Sequence, residues 1–214
     1  MAVSSHELIA GFADPVQASQ QVFRAALKVM SEPGTLVDVD YVEEAPKGLD
    51  LSTWQLALSL LDPDTRVWLS PTLAASDAVV SNLRFHCQCP LVESATESDF
   101  AIALNTELPQ LAELNWGSAE YPDRSTTLVV QVPALSAEPF WTLSGPGIEH
   151  TRSLRIAGLP DAFRAELIKS RQRFPLGIDT FWCCGNQLTA LPRTTKIEPR
   201  TTAIEPLNTA QEAC

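Results

Sequence analysis

The stretch from residue 171 to 198 restricts the fold more than any other. Arg171 and Arg173 close a helical segment, and Pro175 and Gly177 then force a turn, because proline cannot extend a helix and glycine accepts positive φ. Thr180 to Cys184 is apolar and aromatic, long enough for one buried strand. Gly185-Asn186 is a two-residue hairpin signal, and Gln187 to Leu191 returns with alternating polarity. Pro192 stops the strand, since it cannot donate a ladder hydrogen bond. Arg193, Thr194 and Thr195 follow as a group of donors. Any sheet that contains this hairpin is not wholly parallel. A plain hairpin requires neither Phe-Pro-Leu-Gly-Ile-Asp before it nor Leu-Pro-Arg-Thr-Thr after it.

Upstream, helical and strand patterns alternate. Asp14 caps a first helix, with Pro15 at its first position and an apolar stripe through Val16, Val22, Phe23, Ala26, Leu27 and Met30. Glu32-Pro33-Gly34 ends it. Thr35 to Val42 alternates as a strand, with Val37, Val39 and Tyr41 on one face. Ser52-Thr53-Trp54-Gln55 reads as a capping box opening a helix through Leu61. Arg66 to Leu69 is a short strand. A third helix, capped by Ser76 or Asp77, delivers Arg84, Phe85 and His86 at its carboxyl end, where the helix dipole favours cations. Further strands are predicted at 100–104, 127–132, 141–144 and 153–156, with helices at 107–114 and 160–173. The expected architecture is a three-layer α/β domain with a mixed sheet over residues 1–198, followed by a loose tail over 199–214.

Partner classes follow from charge. Lys plus Arg is 15 and Asp plus Glu is 26, so the formal charge is −11. An acidic body repels phosphodiester backbones, which argues against general nucleic-acid binding, yet a local arginine pocket for one small anion is compatible with it. No apolar run approaches the roughly 20 residues of a membrane span, and the first residues lack a secretory pattern. Five cysteines, two of them adjacent, fit reduced thiols in a cytoplasmic setting.

Several residue groups carry chemical meaning. His86, Cys87 and Cys89, with Cys183 and Cys184, are the nearest approach to a zinc set, but Cys-x-Cys is tight and adjacent strand cysteines face opposite ways. Gly145-Pro146-Gly147-Ile148 offers backbone amides to a phosphate but lacks the lysine-threonine ending of a P-loop. Arg84 with His86, and Arg193 with Thr194, place guanidinium forks and further donors at element ends, where α/β proteins collect ligands; surface ion pairing is the plainer role for them. The four lysines, Lys28, Lys47, Lys169 and Lys196, lack the apolar small-residue setting that tunes a Schiff-base amine.

Seven runs jointly resemble one family. They are Gln20-Gln21-Val22-Phe23-Arg24, Met30-Ser31-Glu32-Pro33-Gly34, Leu61-Asp62-Pro63-Asp64-Thr65-Arg66-Val67-Trp68-Leu69, Leu83-Arg84-Phe85-His86, Gly145-Pro146-Gly147-Ile148, Phe174-Pro175-Leu176-Gly177-Ile178-Asp179 and Leu191-Pro192-Arg193-Thr194-Thr195. In this order they resemble the H subunit (PhnH) of the bacterial carbon–phosphorus lyase core complex. Where the family usually has Thr after Phe-His, this chain has Cys87, which counts against a role for Cys87 or Cys89 and against a metal.

The resemblance implies a fold similar to the large domain of pyridoxal-phosphate-dependent transferases, with no bound cofactor. It implies a homodimer in isolation and G, I and J subunits as partners. It also implies a share in converting ATP and alkylphosphonate to ribose 1-alkylphosphonate 5-triphosphate, with adenine released. The resemblance assigns nucleosidase chemistry to the I subunit and radical C–P cleavage to the J subunit and leaves the H subunit's own share open; the expected role for this chain is a non-catalytic or accessory-catalytic subunit. The residues expected to meet a ligand or partner are Arg84, His86, Arg193 and Thr194, with Gly145, Gly147, Pro175 and Gly177 shaping the backbone. The rival readings are a degenerate pyridoxal-phosphate transferase using Lys169 or Lys196, and a thiol or zinc redox module.

Overall fold

The computed structural model describes residues 8–199. Its main sheet has seven strands in the order β1-β9-β8-β5-β4-β2-β3. These are β1 (Val37–Asp38), β2 (Val67–Leu69), β3 (Leu91–Val92), β4 (Phe100–Leu104), β5 (Thr127–Gln131), β8 (Asp179–Cys184) and β9 (Gln187–Leu191). Strands β3, β2, β4, β5 and β8 run parallel. The hairpin at Gly185-Asn186 adds β9 antiparallel to β8, and β1 pairs antiparallel with β9. The sheet is therefore mixed, and the hairpin makes it so.

Side chains alternate across this sheet and feed two separate cores, as period-2 geometry requires. Val67, Leu69, Ile102, Val129, Phe181, Cys183, Leu188 and Ala190 face one core. It is closed by α1 (Pro15–Ser31), α2 (Leu51–Leu60), α3 (Pro71–Ala74) and α4 (Asp77–His86). Trp68, Ala101, Ala103, Leu128, Val130, Trp182 and Leu191 face the other. That side is covered by α5 (Asp161–Ser170) and a three-stranded antiparallel sheet, β10-β6-β7, built from β6 (Leu135–Ser144), β7 (Arg152–Ile156) and β10 (Lys196–Pro199).

Local capping follows the sequence in part. Asp14 accepts from the Gln17 amide and Ser76 from the Val79 amide, so both helices start where their caps dictate. The capping box at 52–55 does not form. Asp50 holds the cap position of α2 without a side-chain cap bond, while Gln55 donates to the Val39 carbonyl and accepts from the Tyr41 amide. A long-range demand took the side chain that the local motif would have used. The expected strand is also short: Val37–Asp38 is its paired part, the Val39 amide still reaches the Asn186 carbonyl, and Tyr41 lies exposed.

Three other expectations change. The segment 107–114 forms only a 3-10 turn at Leu111–Glu113, not a helix. The helix at 160–173 is α5 followed by a 3-10 turn at Arg171–Arg173. Pro199, assigned to the tail, closes β10 opposite Trp141; residues 200–214 of that tail lie outside the described residues.

The apolar stripe of α1 splits. Val22 and Ala26 are buried with Val29, but Val16, Phe23 and Leu27 are 69%, 46% and 54% exposed.

Candidate functional site

Four of the seven sequence runs meet at the amino ends of β8 and β5. Asp179 opens β8, and Arg193 follows the end of β9 beside it. The Arg193 Nε donates to both Asp179 carboxylate oxygens at 3.1 Å, and its Nη2 reaches Oδ2 at 2.5 Å. The same guanidinium donates to the Pro122 carbonyl and to Ser125 Oγ, and the Arg193 amide donates to Asp179 Oδ1 at 2.7 Å. Both side chains are largely buried, at 14% and 18% exposure. Such charges are kept in a protein interior only when paired and hydrogen-bonded.

Glycines let the surrounding chain close in. Gly177 has φ +155 and sits against Arg193, where a Cβ would lie 3.1 Å from the arginine's own Cβ. Gly145 (φ +128) presses on the Thr194 carbonyl, and a Cβ on Gly147 (φ +79) would overlap the Ser31 carbonyl oxygen. The Phe174-Pro175 peptide bond is cis. Arg152 completes the joint from β7, donating to the Glu32 and Pro33 carbonyls at 2.8 and 2.9 Å and to Thr35 Oγ1. These contacts lock the end of α1, the β6–β7 turn and the β8–β9 pair into one unit.

Arg171, which the sequence marks only as a helix end, is a second buried cation here. It donates to the Ile178 carbonyl at 2.9 Å and the Leu191 carbonyl at 3.3 Å, while its Nε has no hydrogen-bond partner among the described residues. Burial brings its pKa down to about 10, against the opposing pull of Asp179. No local pattern marks Arg152 or Arg171 for these roles, since their partners are mostly backbone carbonyls, which every residue carries.

The four expected contact residues divide. Arg193 spends its donors within the chain. Thr194 is half-buried, with its carbonyl under Gly145. His86 Nε2 lies 2.9 Å from the Ile9 carbonyl, and its ring meets the Trp54 and Phe85 rings edge-on, so it fastens residues 9–12 to α4. Arg84 alone is exposed and has no hydrogen bond or ion pair among the described residues. It stands on a cavity of about 480 Å³ walled by Leu69, Pro71, Val80 and Leu91, with Glu93 on the rim. This cavity lies at the carboxyl end of β2, between that strand, β3 and α4. The two arginines do not converge. Arg193 sits at the amino ends of the parallel strands, and β8, β5 and β4 separate β9 from β2.

The carboxyl edge also carries a node that sequence reading missed. The Asp50 amide donates to Gln131 Oε1 at 2.6 Å, and Gln131 Nε2 donates to the Gly48 carbonyl at 2.9 Å. Burial raises the Asp50 pKa, partly offset by a hydrogen bond from the Gly185 amide. The node ties α2 to β5 and to the hairpin turn.

The thiols take core positions. Cys87, Cys89 and Cys183 are buried in the helical core, and Cys184 faces the opposite one. Among the described residues, no three His, Cys, Asp or Glu side chains group to hold a metal ion. His6 and Cys214 lie outside the described residues.

Comparison with known proteins agrees with this set of runs. The model of the family described as bacterial phosphonate metabolism protein (PhnH) matches residues 10–198. The chain is 36% identical over 199 residues to alpha-D-ribose 1-methylphosphonate 5-triphosphate synthase subunit PhnH of Rhizobium meliloti (strain 1021), covering 92% of this chain and 99% of that protein. It is 30% identical over 179 residues to the putative C-P lyase subunit protein HtxG of Stutzerimonas stutzeri, covering 83% and 85%. With the matched region holding both cores and the joint at Arg193, the chain belongs to the PhnH family of bacterial phosphonate metabolism proteins.

Proposed function

We propose that this chain is a subunit of the carbon–phosphorus lyase assembly, serving the synthesis of α-D-ribose 1-methylphosphonate 5-triphosphate from ATP and an alkylphosphonate. The observation that carries this is the match over nearly the whole chain to a protein named as a subunit of that synthase. Its role is accessory: it holds partner subunits in place rather than performing the reaction alone. Support comes from the committed donors of Arg193 and His86, and from Val16, Phe23 and Leu27 exposed along one face of α1. An apolar stripe of this kind on a stable helix suits a protein interface. The partners are the G, I and J subunits in a cytoplasmic assembly, and the isolated chain is a homodimer. No helix among the described residues is long and apolar enough to cross a membrane.

The fold is similar to the large domain of pyridoxal-phosphate-dependent transferases and works without the cofactor. The residues present do not suit a Schiff base. Lys169 is exposed on α5, Lys196 is exposed on β10 of the second sheet, and Lys47 is exposed in a loop. Borohydride reduction with one equivalent of pyridoxal phosphate, followed by peptide mapping, is expected to show only scattered, low-level labelling of exposed lysines, with none modified selectively or stoichiometrically.

Deleting the gene in a strain with no second copy tests the main reading. Growth on methylphosphonate as sole phosphorus source is expected to stop, with growth on phosphate unchanged. Continued growth on methylphosphonate would overturn it.

A further inference from the structure

The outermost strand of the main sheet, β3, has one side unpaired among the described residues, and its geometry specifies what fits there. The Val67 amide donates to the Pro90 carbonyl, and the register pairs Val67 with Leu91 and Trp68 with Val92. In a parallel pair with that register, Pro90 and Val92 turn their main-chain groups toward β2, and Leu91 and Glu93 turn theirs away. No hydrogen bond reaches the Leu91 or Glu93 amide among the described residues. The cavity of about 480 Å³ lies beside this edge, with apolar walls from Leu69, Pro71, Val80 and Leu91. Arg84, without a partner among the described residues, lines it together with Glu93.

A free main-chain edge, an adjoining apolar groove and an uncommitted cation form the constellation that strand addition uses. Main-chain bonds supply affinity, and a pocket for alternate side chains supplies selection. A small anion would use Arg84 but would leave the outward amides and carbonyls of Leu91 and Glu93 unanswered. We infer that the β3 edge, Leu91 to Glu93, receives an extended segment of another subunit of the synthase, which adds an eighth strand, sets an apolar side chain in the groove and brings a carboxylate to Arg84. This rests on the subunit reading above and names the surface that reading leaves open.

Leu91→Pro tests it at the edge itself, although Leu91 also packs on the helical core and walls the groove. The substitution removes an amide that points away from β2, so no ladder bond is lost, and proline is tolerated at such edges. The ring then obstructs an incoming strand. The wild-type chain, Leu91→Pro and Arg84→Glu are each co-expressed with the other synthase subunits, and affinity and amide exchange are measured on the purified complexes. Strand addition predicts slowed exchange at Leu91 and Glu93 in the wild-type complex. It also predicts binding weakened at least tenfold by Leu91→Pro, which removes one main-chain hydrogen bond and part of the groove wall, and a smaller loss for Arg84→Glu. Equal binding by wild type and Leu91→Pro, with no protection at Leu91, overturns strand addition alone. So does protection of the same segment by methylphosphonate and ATP without other subunits, which would make the groove a small-molecule site. A wild-type chain that binds no other subunit removes the subunit reading and this inference together.

Discussion

Arg193 grips Asp179 from two directions at once: its guanidinium lies across both carboxylate oxygens while its own backbone amide donates to Oδ1. One residue thus ties the end of β9 to the start of β8 and, through Pro122 and Ser125, to the approach to β5. Arg193→Ala would leave a largely buried carboxylate unpaired, which costs about 3 kcal/mol. Denaturant unfolding of Arg193→Ala, Asp179→Ala and the double variant is expected to show strong coupling, with the double variant losing much less than the sum of the singles. Additive losses would mean that the pair contributes little beyond packing.

Gly147→Ala tests the joint from the other side. The glycine is at φ +79 and its missing Cβ faces the Ser31 carbonyl, a backbone group that cannot swing away. Alanine is strained at such a φ and here also collides, so the loss of stability exceeds the roughly 1 kcal/mol of a simple conformational penalty. Gly185→Ala is the comparison. That glycine also has positive φ but faces open space, so its cost stays near the conformational penalty alone. Equal melting temperatures for the two variants would remove the steric part of this account.

How much of this was legible beforehand depended on the range of the determining contact. Capping by Asp14 and Ser76, the hairpin at Gly185-Asn186 and the strands at 100–104 and 127–132 are set within a few residues, and they formed as read. Gln55 misled because its side chain serves Val39 and Tyr41, 16 and 14 residues away. The split of α1 into buried and exposed apolar positions was invisible for a similar reason: periodicity marks an apolar arc but not how much of it the rest of the chain covers. Arg193 was singled out for its donors, which are indeed grouped, but only the fold shows that Asp179, Pro122 and Ser125 consume them. Asp50 was passed over because its burial depends on Gln131 and Gly185, 81 and 135 positions downstream.

Asp50 gives the chain a carboxyl whose ionised form is disfavoured in the fold. A raised folded pKa means that the penalty is present at neutral pH and is lost as pH falls through that pKa toward the unfolded value of about 3.9. Asp50→Asn keeps an oxygen for the Gly185 amide and removes the charge. Its melting temperature is expected to exceed that of the wild type at pH 7.5, with the gap closing toward pH 4. A variant less stable at pH 7.5 would show that the bond from Gly185 requires a full charge.

Phe23 and Leu27 sit one turn apart on the exposed face of α1, away from Val22 and Ala26. Replacing both with serine removes apolar surface of which the fold buries only about half, so the melting temperature should fall by no more than several degrees and the chain stays folded. If this stripe is covered in the assembly, co-purification with the other synthase subunits, or dimerisation of the isolated chain, falls sharply. Unchanged assembly and unchanged oligomeric state would assign the stripe no partner.

The thiols provide a final discriminator, because a redox or metal module needs cysteines that ionise readily. Burial pushes Cys87 and Cys183 up to about 12 and raises Cys89 as well. Thiolate is the reactive form, so these three are both shielded and protonated at pH 8. The half-buried Cys184 is raised too, but a reagent can reach it. Native labelling with a maleimide at pH 8, read by peptide mass spectrometry, should leave Cys87, Cys89 and Cys183 unmodified over a time in which denatured chain labels completely. Their modification should then rise in step with unfolding as denaturant is added. Rapid native modification of Cys87 and Cys89 together would contradict the core placement and revive a thiol-based role for the segment that carries His86.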